Sequence, residues 1–509
     1  MRVFVIGIIA AAVIATAAPA ISQVSLLFPH GVASGDVRET SAVLWTRPSR
    51  SAPVTVEVSA DPQFGSLVFQ RTVTPNPERD LTVKVLASGL APATRYYYRF
   101  RAGVGAYSQK GAFVTPPAAD ASADLTFAYS ACSDGGYVGG VPALSLSLLD
   151  AVVADRPDFF AHLGDNMYPD SSLVPNPVFT LEAYRGKYKE LRTIPAFRNF
   201  TASTSMIVTW DDHEVENDYD RETVDARRWA EGHRAFMECS PIAEQPGGRI
   251  YRKFRWGRDI EVFVLDGRSY RSRHVSKTAV CDNPPGGRVP DLAPTLPLPI
   301  RAAFAPLVPQ MRLPVPPGCL EAIADPNRTM LGLSQKIWLK RELARSTATW
   351  KLIFNQTPIQ EFFASPYDRW EGYAAERAEI LTFIRDSGIK NVVWLTGDTH
   401  ATLVNDVRLS TFAPPFATTG MKEVVTGPIA ATPYAESVAG VGGRAVVPAL
   451  LAFFTAPIPQ GVGMSCAVVD RYTYAKVEVS SRARTVTITP KDAAGRPICR
   501  APLVITATP

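Results

Sequence analysis

The stretch Phe159-Phe160-Ala161-His162-Leu163-Gly164-Asp165-Asn166-Met167-Tyr168 joins an apolar run to side chains that bind metals or transfer protons. Short runs of bulky or β-branched residues predict buried strands, and α/β sheets carry their ligands just beyond the carboxyl ends of strands. Four further runs end in the same way: Leu125–Tyr129 before Cys132, Met206–Trp210 before Asp211-Asp212-His213-Glu214, Ile260–Leu265 before Asp266-Gly267-Arg268, and Val392–Leu395 before Gly397-Asp398-Thr399-His400. This repetition predicts an α/β domain with a metal site at one sheet edge.

The composition is that of an ordinary globular protein. The chain has 509 residues, of which 46% are hydrophobic and 20% are charged. A length of this order predicts roughly two to four domains. The formal net charge of +5 is spread along the sequence. Since no long basic run is present, we expect no nucleic-acid-binding surface.

The N-terminus has the form of a secretory signal peptide, which we place at residues 1–22. Arg2 precedes an apolar stretch that ends in Ala18-Pro19-Ala20, a typical cleavage site. The alternative is an uncleaved membrane anchor, since residues 3–21 almost suffice to span a bilayer. The small residues before the site favour cleavage, and the absence of a twin arginine favours the general secretory route. We therefore predict a secreted protein, periplasmic or extracellular, with no membrane span after cleavage.

Six widely spaced cysteines fit an exported chain and contain no CxxC motif. Cys132 directly follows a predicted strand, where it is a candidate thiolate ligand. Among the other five, Cys281 with Cys319 and Cys466 with Cys499 are the pairs that we expect as disulfides, although the sequence does not decide connectivity.

Residues 26–118 predict an all-β module of the immunoglobulin or fibronectin type. Its predicted strands include Ser41–Thr46, Val54–Val58 and Leu81–Val85, which alternate or cluster β-forming residues. Leu90 and Pro92 precede alternating aromatic residues, which is typical of a tyrosine corner. Residues 115–120 form a plausible linker.

Residues 122–509 predict an α/β domain. Helix-like composition or apolar spacing is found in Leu181–Arg192, Asp225–Cys239, Ser334–Ala344 and Tyr373–Asp386. The Pro-rich residues 282–318 predict an irregular surface excursion near the site mouth. The tail returns to alternating strands at Lys476–Val479 and Thr485–Thr489.

The chemistry of the clusters indicates a metal-dependent hydrolase. Tyrosinate from Tyr168 and thiolate from Cys132 suit trivalent iron better than zinc, because both are strongly donating anions. Asp165 has two oxygens with which to bridge two ions. The other candidate ligands are the carboxylates of Asp212 and Asp398 and the imidazole of His400. Metals about 3.5–4 Å apart activate a bound water and clamp a phosphate, and His213 is placed to donate a proton.

Each of these residues alone has a structural alternative. Asp165 can cap a turn, Tyr168 and Cys132 can fill a core, and Asp211, Glu214 and Asp218 can be helix-start carboxylates. The Asp-Asp-His and Gly-Asp-x-His clusters after strands are improbable as capping alone. The constellation therefore supports the functional interpretation.

At these residues the chain resembles the PhoD-like alkaline phosphatases of the calcineurin-like metallophosphoesterase superfamily. The resemblance runs from residues 31–36 to the C-terminal strands. It is carried by Ala131-Cys132-Ser133, Gly164-Asp165-Asn166-Met167-Tyr168, Trp210-Asp211-Asp212-His213-Glu214, residues 331–339 and Gly397-Asp398-Thr399-His400.

The resemblance implies an N-terminal sandwich, a four-layer α/β/β/α catalytic domain and an iron–calcium site, with Fe3+ and Ca2+ as cofactors. Cys132, Asp165, Tyr168 and His400 would bind iron, with Asp165 bridging to calcium and Asp212 and Asp398 on the calcium side. His213 would be the catalytic residue facing phosphate. Asn217 would lie at calcium or phosphate. Arg185 would contact phosphate, with a surface arginine as the alternative.

We therefore expect a secreted alkaline phosphatase acting on phosphoric monoesters, diesters or both through a metal-activated hydroxide. The alternatives are a phospholipase D-type or nucleotide phosphodiesterase on the same fold and a non-catalytic surface binding protein. Residues 282–318 and 431–465 do not match the family's pattern, so we expect them to set substrate access. The expected partner is a small-molecule or polymeric phosphoester, and we expect a monomer.

Overall fold

The computed structural model describes residues 26–508 except 136, 139–140, 143–145, 172–176, 178, 415 and 417. The predicted signal peptide, residues 1–22, lies outside the described residues. The strands in chain order are β1 Val32–Arg38, β2 Ser41–Thr46, β3 Val54–Ser59, β4 Phe69–Val73, β5 Val83–Ser88, β6 Arg95–Ala102, β7 Ala106–Tyr107, β8 Gly111–Val114, β9 Leu125–Ser130, β10 Tyr137–Val138, β11 Val141–Pro142, β12 Phe159–Leu163, β13 Ser205–Thr209, β14 Arg252–Trp256, β15 Ile260–Val264, β16 Trp350–Phe354, β17 Val392–Thr396, β18 Thr402–Arg408, β19 Thr418–Val425, β20 Cys466–Val468, β21 Thr473–Ser480, β22 Thr485–Asp492 and β23 Leu503–Thr506.

The helices alternate with the central strands. In chain order they are α1 Leu148–Ala154, α2 Leu181–Thr193, α3 Pro195–Ser203, α4 Ala226–Cys239, α5 Leu298–Phe304, α6 Cys319–Ile323, α7 Gly332–Arg345, α8 Ala374–Asp386, α9 Tyr434–Gly442 and α10 Val446–Thr455. The four helices predicted from the sequence correspond to α2, α4, α7 and α8, within two residues at each end. Helix α4 begins after Asp225, whose side chain accepts the Arg228 N–H at 2.8 Å as an N-cap. Asp211, Glu214 and Asp218 precede this helix in a loop, so the alternative of helix-start carboxylates is wrong for them.

Two large sheets form the centre of the molecule. The first has nine strands in the order β23-β22-β21-β9-β12-β13-β1-β2-β5, and the second has seven in the order β14-β15-β16-β17-β19-β18-β20. Strands β9, β12 and β13 are parallel, as are β15, β16, β17 and β19. Their near-continuous apolar runs follow from burial on both faces, which parallel strands require.

The sheets pack face to face around an aromatic and aliphatic core. Phe127 stacks on Phe159 in its own sheet, with ring centroids 4.8 Å apart, and lies 5.7 Å from Phe354 of the opposite sheet. Burying each such side chain contributes roughly 1.5–3 kcal/mol. Helices α2 to α4 pack on the outer face of the first sheet, and α7 and α8 cover the second. The α/β/β/α arrangement predicted from the sequence is confirmed.

The N-terminal strands form the predicted all-β sandwich. Strands β3, β4, β6, β7 and β8 form one sheet, which packs on β1, β2 and β5 through Leu44, Val56 and Tyr98. The tyrosine corner is present, because the Ala91 N–H donates to the Tyr96 hydroxyl at 2.8 Å. Strand β1 also pairs with β13 at Gly35 and Met206, so one layer of the sandwich continues into the nine-stranded sheet. The domain boundary that we placed between residues 118 and 122 stays a prediction, because the nine-stranded sheet contains strands from both sides of it.

Both expected disulfides are present. Cys281 is bonded to Cys319 and Cys466 to Cys499, whereas Cys132 and Cys239 are buried free thiols. The first bond encloses the whole Pro-rich excursion, residues 282–318, which is largely irregular but contains α5. Within the described residues no single helix is long and apolar enough to cross a membrane, and the pair α9 and α10, which together have the length, is bent by 120°.

Candidate metal centre

The predicted ligands lie at one edge of the two sheets. Cys132 follows β9, Asp165 and Tyr168 follow β12, and Asp212 follows β13, three adjacent parallel strands of the first sheet. His400 follows β17 of the second sheet. Because parallel strands end at the same side, these loops meet where the sheets face each other.

The loops have strained backbones that fix the direction of these side chains. Cys132, Asp165, Asp398 and His400 all have positive φ, between 53° and 65°. Non-glycine residues rarely adopt this conformation, and each costs of order 1 kcal/mol or more unless the surroundings hold it. Strain of this kind concentrates at ligand-binding sites.

A glycine precedes the aspartate in two of the loops because the neighbouring loops leave no space for a side chain. A Cβ at Gly164, which has φ +113°, would lie 2.5 Å from the Asp211 Cβ. A Cβ at Gly397 would lie 2.5 Å from the Ala131 Cβ. The Gly-Asp pairs therefore allow neighbouring strand ends to approach closely.

The four predicted iron ligands form one cluster. Donor atoms of Cys132, Asp165 and His400 lie within 4.8 Å of one another. The Tyr168 hydroxyl donates to an Asp165 carboxylate oxygen at 2.8 Å and lies 3.3 Å from His400 Nε2. His400 Nδ1 lies 2.7 Å from the Thr432 carbonyl, which assigns the proton to Nδ1 and leaves Nε2 unprotonated toward the cluster.

Two further donor groups extend this cluster into a row. Asp165, Asp212 and His213 form the second group, and Asp212, Asp218 and Asp368 form the third, each with donor atoms within 4.8 Å. Asp165 and Asp212 each belong to two groups. Asp398 lines the same cavity as Asp218 and Asp368. This sharing is the arrangement that bridging carboxylates between adjacent cations require.

The anionic donors outnumber the cations that the protein itself supplies. Burial, together with the charges of neighbouring carboxylates, raises the pKa of Asp165 and Asp398 well above the usual value. Burial and Asp165 likewise raise the pKa of the Cys132 thiol and the Tyr168 phenol. Buried charges of one sign are costly unless they are paired or bind metal.

The main cation beside these donors is the buried Arg268. Its guanidinium bonds to Asp211 at 2.5 Å and to both oxygens of Asp368 at 2.6 Å, and lies 3.7 Å from Asp212. Burial and Arg268 act in opposite directions on Asp211, whose pKa rises to about 7. Although burial opposes it, Arg268 with His213 holds the pKa of Asp212 below its usual value. The excess of anionic oxygen and sulfur donors fits cation binding at Asp165, Asp212 and their neighbours.

His213 is held in place through its ring and through its backbone. Its Nδ1 lies 2.6 Å from Asp170 Oδ1, and its ring packs on the Tyr168 ring with centroids 3.9 Å apart. Its backbone N–H donates to Asp212 Oδ1 at 3.0 Å. Although burial opposes protonation, Asp212, Asp165 and Asp170 raise the pKa of this imidazole well above its usual value. The bond to Asp170 leaves Nε2 as the nitrogen that can face a substrate.

Asn217 and Arg185, the two further residues predicted to bind metal or phosphate, differ in their positions relative to the cluster. Asn217 is exposed, and its backbone N–H donates to Asp170 Oδ2 at 2.7 Å, so it helps to hold the partner of His213. Arg185 is not brought to the cluster. Its guanidinium bonds to Glu238 at 2.7 and 2.9 Å and to the Glu78 carbonyl at 2.7 Å. The predicted phosphate contact is therefore replaced by a tie between α2, α4 and the N-terminal sandwich.

Several residues of the site were missed by sequence reasoning. Asp170 follows Tyr168 by two positions and was detectable from that loop. Arg268 follows a predicted strand but carried no predicted role. Asp368 follows no strand, and only the tertiary fold brings it beside Asp212. Glu214 has a structural role, because its carboxylate accepts the backbone N–H groups of Asp165, Asn166 and Asp211 at 2.6–3.2 Å.

The sequence model of the PhoD-like phosphatase family matches residues 127–453, and that of the N-terminal domain of PhoD-like phosphatases matches residues 14–117. The chain belongs to the PhoD-like phosphatase family. This membership confirms the predicted family. The match spans the Pro-rich excursion, residues 282–318, and ends within residues 431–465.

Relatives support the assignment to the PhoD-like phosphatases. Alkaline phosphatase D of Bacillus subtilis (strain 168) is 31% identical over an alignment of 428 positions. The alignment covers 75% of this chain and 66% of that protein, just under two thirds of its length. A solved structure described as PhoD has a TM-score of 0.72 and 25% identity, covering 96% of this chain and 90% of the other. Purple acid phosphatase PPD1 from yellow lupin (Lupinus luteus) seeds shares the fold at a TM-score of 0.58 and 11% identity, covering 94% and 73%.

Proposed function

We propose that this PhoD-like protein is an exported, metal-dependent phosphoric ester hydrolase of the alkaline phosphatase type. The observation that supports it is the row of three donor groups linked by Asp165 and Asp212, with His213 at its side. A binding module has no need for a buried excess of carboxylates beside a positioned histidine. A row of carboxylates that holds adjacent cations, by contrast, suits a reaction in which negative charge develops on phosphoryl oxygens.

We further propose a mixed-metal site. Cys132, Asp165, Tyr168 and His400 would hold Fe3+, because thiolate and phenolate stabilise a trivalent ion. Asp212 and Asp398 would hold Ca2+, and Asp218 and Asp368 add carboxylate oxygens on that side. When bound, the metals lower the pKa of a coordinated water and neutralise phosphate oxygens.

The chain's own residues supply positioning and proton transfer. Asp170 holds His213 by Nδ1, so that Nε2 can donate a proton to the leaving-group oxygen. Arg268 holds Asp211 and Asp368 in place and limits repulsion among the carboxylates. The Gly164 turn allows the loops after β12 and β13 of the first sheet to lie close together, and the Gly397 turn does the same for the loops after β17 and β9 of the two sheets.

The test is metal analysis of the purified protein together with assays on 4-nitrophenyl phosphate and bis(4-nitrophenyl) phosphate. We expect bound iron and calcium, release of nitrophenol from at least one ester, and loss of turnover on removal of calcium by a chelator. Full turnover in metal-free buffer after exhaustive chelation would contradict the metal assignment. Failure to release nitrophenol under any metal condition would instead favour a non-catalytic surface binding protein.

Export is tested separately. We expect the mature protein, recovered outside the cytoplasm, to begin shortly after Ala18-Pro19-Ala20, as determined by N-terminal sequencing. A protein that keeps residues 1–22 and fractionates with membranes would instead support the uncleaved anchor.

A further inference from the structure

An apolar cavity lies beside the candidate metal centre. Its volume is about 160 Å³, and it is formed by the Pro-rich excursion with α5, by residues 362–365 and by α9 and α10. The side chains that line it include Phe304, Phe362, Phe363, Tyr434, Val438 and Phe453. Its walls are predominantly aromatic and aliphatic, which is the composition of a ligand pocket rather than of a water-filled channel.

This cavity adjoins the acidic cleft of the metal centre. The cleft that contains Asp218, Asp368 and Asp398 shares Leu292, Ser365 and Arg369 with the apolar cavity. The two spaces therefore have a common wall.

Two residues connect the apolar wall directly to the candidate ligands. Tyr434 lines the cavity, while its backbone N–H donates to the His400 carbonyl at 3.0 Å. Arg369 directly follows Asp368 in the chain, and its guanidinium stacks on the Phe362 ring at 3.9 Å. A molecule with its phosphoryl group among the carboxylates therefore has an apolar surface within reach.

The size of the cavity defines what it holds. A dry cavity of about 150 Å³ in another protein accommodates one benzene molecule. A volume of about 160 Å³ thus holds one aromatic ring or a chain of a few methylenes. The rim at Val441, which is 57% exposed, leaves the cavity accessible from solvent.

We propose that this cavity is a subsite for the apolar alkyl or aryl group of the phosphoester substrate, and this inference rests on the proposed hydrolase function. The phosphoryl group binds in the acidic cleft, and the esterified hydrocarbon enters between Tyr434 and Phe453. The substrate class is thus a phosphoric ester of a hydrophobic alcohol or phenol.

The test uses esters that differ only in chain length. Two series are assayed with the metal-loaded protein: n-alkyl phosphates, followed by phosphate release, and n-alkyl 4-nitrophenyl phosphates, followed by nitrophenol release. Methyl, butyl, hexyl and octyl members are compared. Each buried methylene contributes about 0.8 kcal/mol, which corresponds to a rise of roughly fourfold in kcat/KM. We expect this rise from methyl to about butyl or hexyl and then a plateau.

A matched pair of variants locates the effect. Val438→Trp on α9 fills the cavity and is expected to abolish the chain-length dependence while turnover of the methyl ester persists. Val438→Phe is a smaller change that serves if the tryptophan variant does not fold. Gly440→Trp is the control on the same helix, since Gly440 is exposed and a Cβ there meets nothing within 4 Å, and it should keep the wild-type profile.

The outcomes separate the two proposals. Turnover of methyl esters with a flat chain-length profile, or a profile that Val438→Trp leaves unchanged, overturns the subsite and leaves the hydrolase function intact. No turnover of any member in either series refutes the hydrolase function and the subsite with it.

Discussion

At the scale of single residues, Cys132 is the proposed ligand whose replacement best tests the identity of the metal. Its thiol is fully buried, and burial with the charges of Asp165 and Asp398 raises its pKa. A thiolate is therefore maintained at this position only by a bound cation. We expect Cys132→Ala to reduce bound iron severalfold and to remove or shift the sulfur-to-iron charge-transfer band, measured by metal analysis and visible absorption. Cys239→Ala, which replaces the other buried free thiol, should leave both unchanged. Full iron content and activity in Cys132→Ala would show that the ligand assignment is wrong.

His213 and Asp170 carry a second prediction at this scale. His213→Ala should keep both metals and lose roughly 10²–10⁴-fold in kcat, the usual contribution of a positioned acid or base. Asp170→Asn should give a smaller loss in kcat and move the pH profile to lower pH, because the carboxylate at 2.6 Å stabilises the protonated ring. Measurement of kcat against pH for both variants checks this. Near-normal kcat with a lower melting temperature in His213→Ala would assign a structural role instead.

The residues that sequence reasoning found are those that follow strands, namely Cys132, Asp165, Asp212 and His400. The apolar runs that precede these residues in the sequence predict their positions at strand ends, and the structure shows which way their side chains point. Asp368 was not predictable in this way, because it follows no strand and only the tertiary fold brings its carboxylate close to that of Asp212. The family resemblance implied a phosphate contact for Arg185, but the buried Glu238 binds its guanidinium.

At the scale of secondary-structure elements, the close approach of two strand ends limits what the Gly-Asp loops tolerate. Gly397→Ala would place a Cβ 2.5 Å from the Ala131 Cβ, which forces the β17 loop away from the β9 loop. We expect a loss of about 1–3 kcal/mol in stability, typical of overpacking, and weaker metal binding. The double variant Ala131→Gly/Gly397→Ala should recover most of both, as measured by chemical denaturation and metal titration. Gly388→Ala lacks the close contact but has φ +64°, so it reports backbone strain alone. If Ala131→Gly restores nothing, the Cβ contact is not the cause.

Strands that end in a candidate ligand cluster were predicted, whereas strand β16 and helices α9 and α10 were not. Strand β12 was predicted at its observed bounds because all five of its residues are buried. Strand β16, Trp350–Phe354, is equally buried but contains Lys351, whose ammonium reaches the Ala348 carbonyl at 2.8 Å. Helices α9 and α10 belong to an apolar cluster shared with the Pro-rich excursion and with β18, β19 and β20 of the second sheet, and we did not predict either helix from the sequence.

At the scale of the whole molecule, the N-terminal sandwich is joined to the α/β body rather than tethered to it. Strand β1 pairs with β13, and the buried Asp36 of β1 forms an ion pair with Arg252 of β14 at 2.6 Å. Arg252 also donates to the Val208 carbonyl of β13 at 2.9 Å. A single side chain thus connects the sandwich to both large sheets. Composition suggested two separate units, because strand pairing between distant segments leaves no local signal in the sequence.

This connection predicts how the protein unfolds. Arg252→Met leaves the buried Asp36 carboxylate without its partner, and removing one member of a buried ion pair costs about 3–5 kcal/mol. We expect one cooperative transition in urea for the wild-type protein and a lower midpoint for Arg252→Met, followed by tryptophan fluorescence and circular dichroism together. The double variant Asp36→Leu/Arg252→Met should regain part of the loss, because no unpaired charge remains buried. Arg258→Met, at an exposed arginine beyond the end of the same strand, should shift the midpoint little. An early transition confined to residues 26–118, with the α/β body unaffected, would show instead that the sandwich is thermodynamically independent and that β1 pairing is weak.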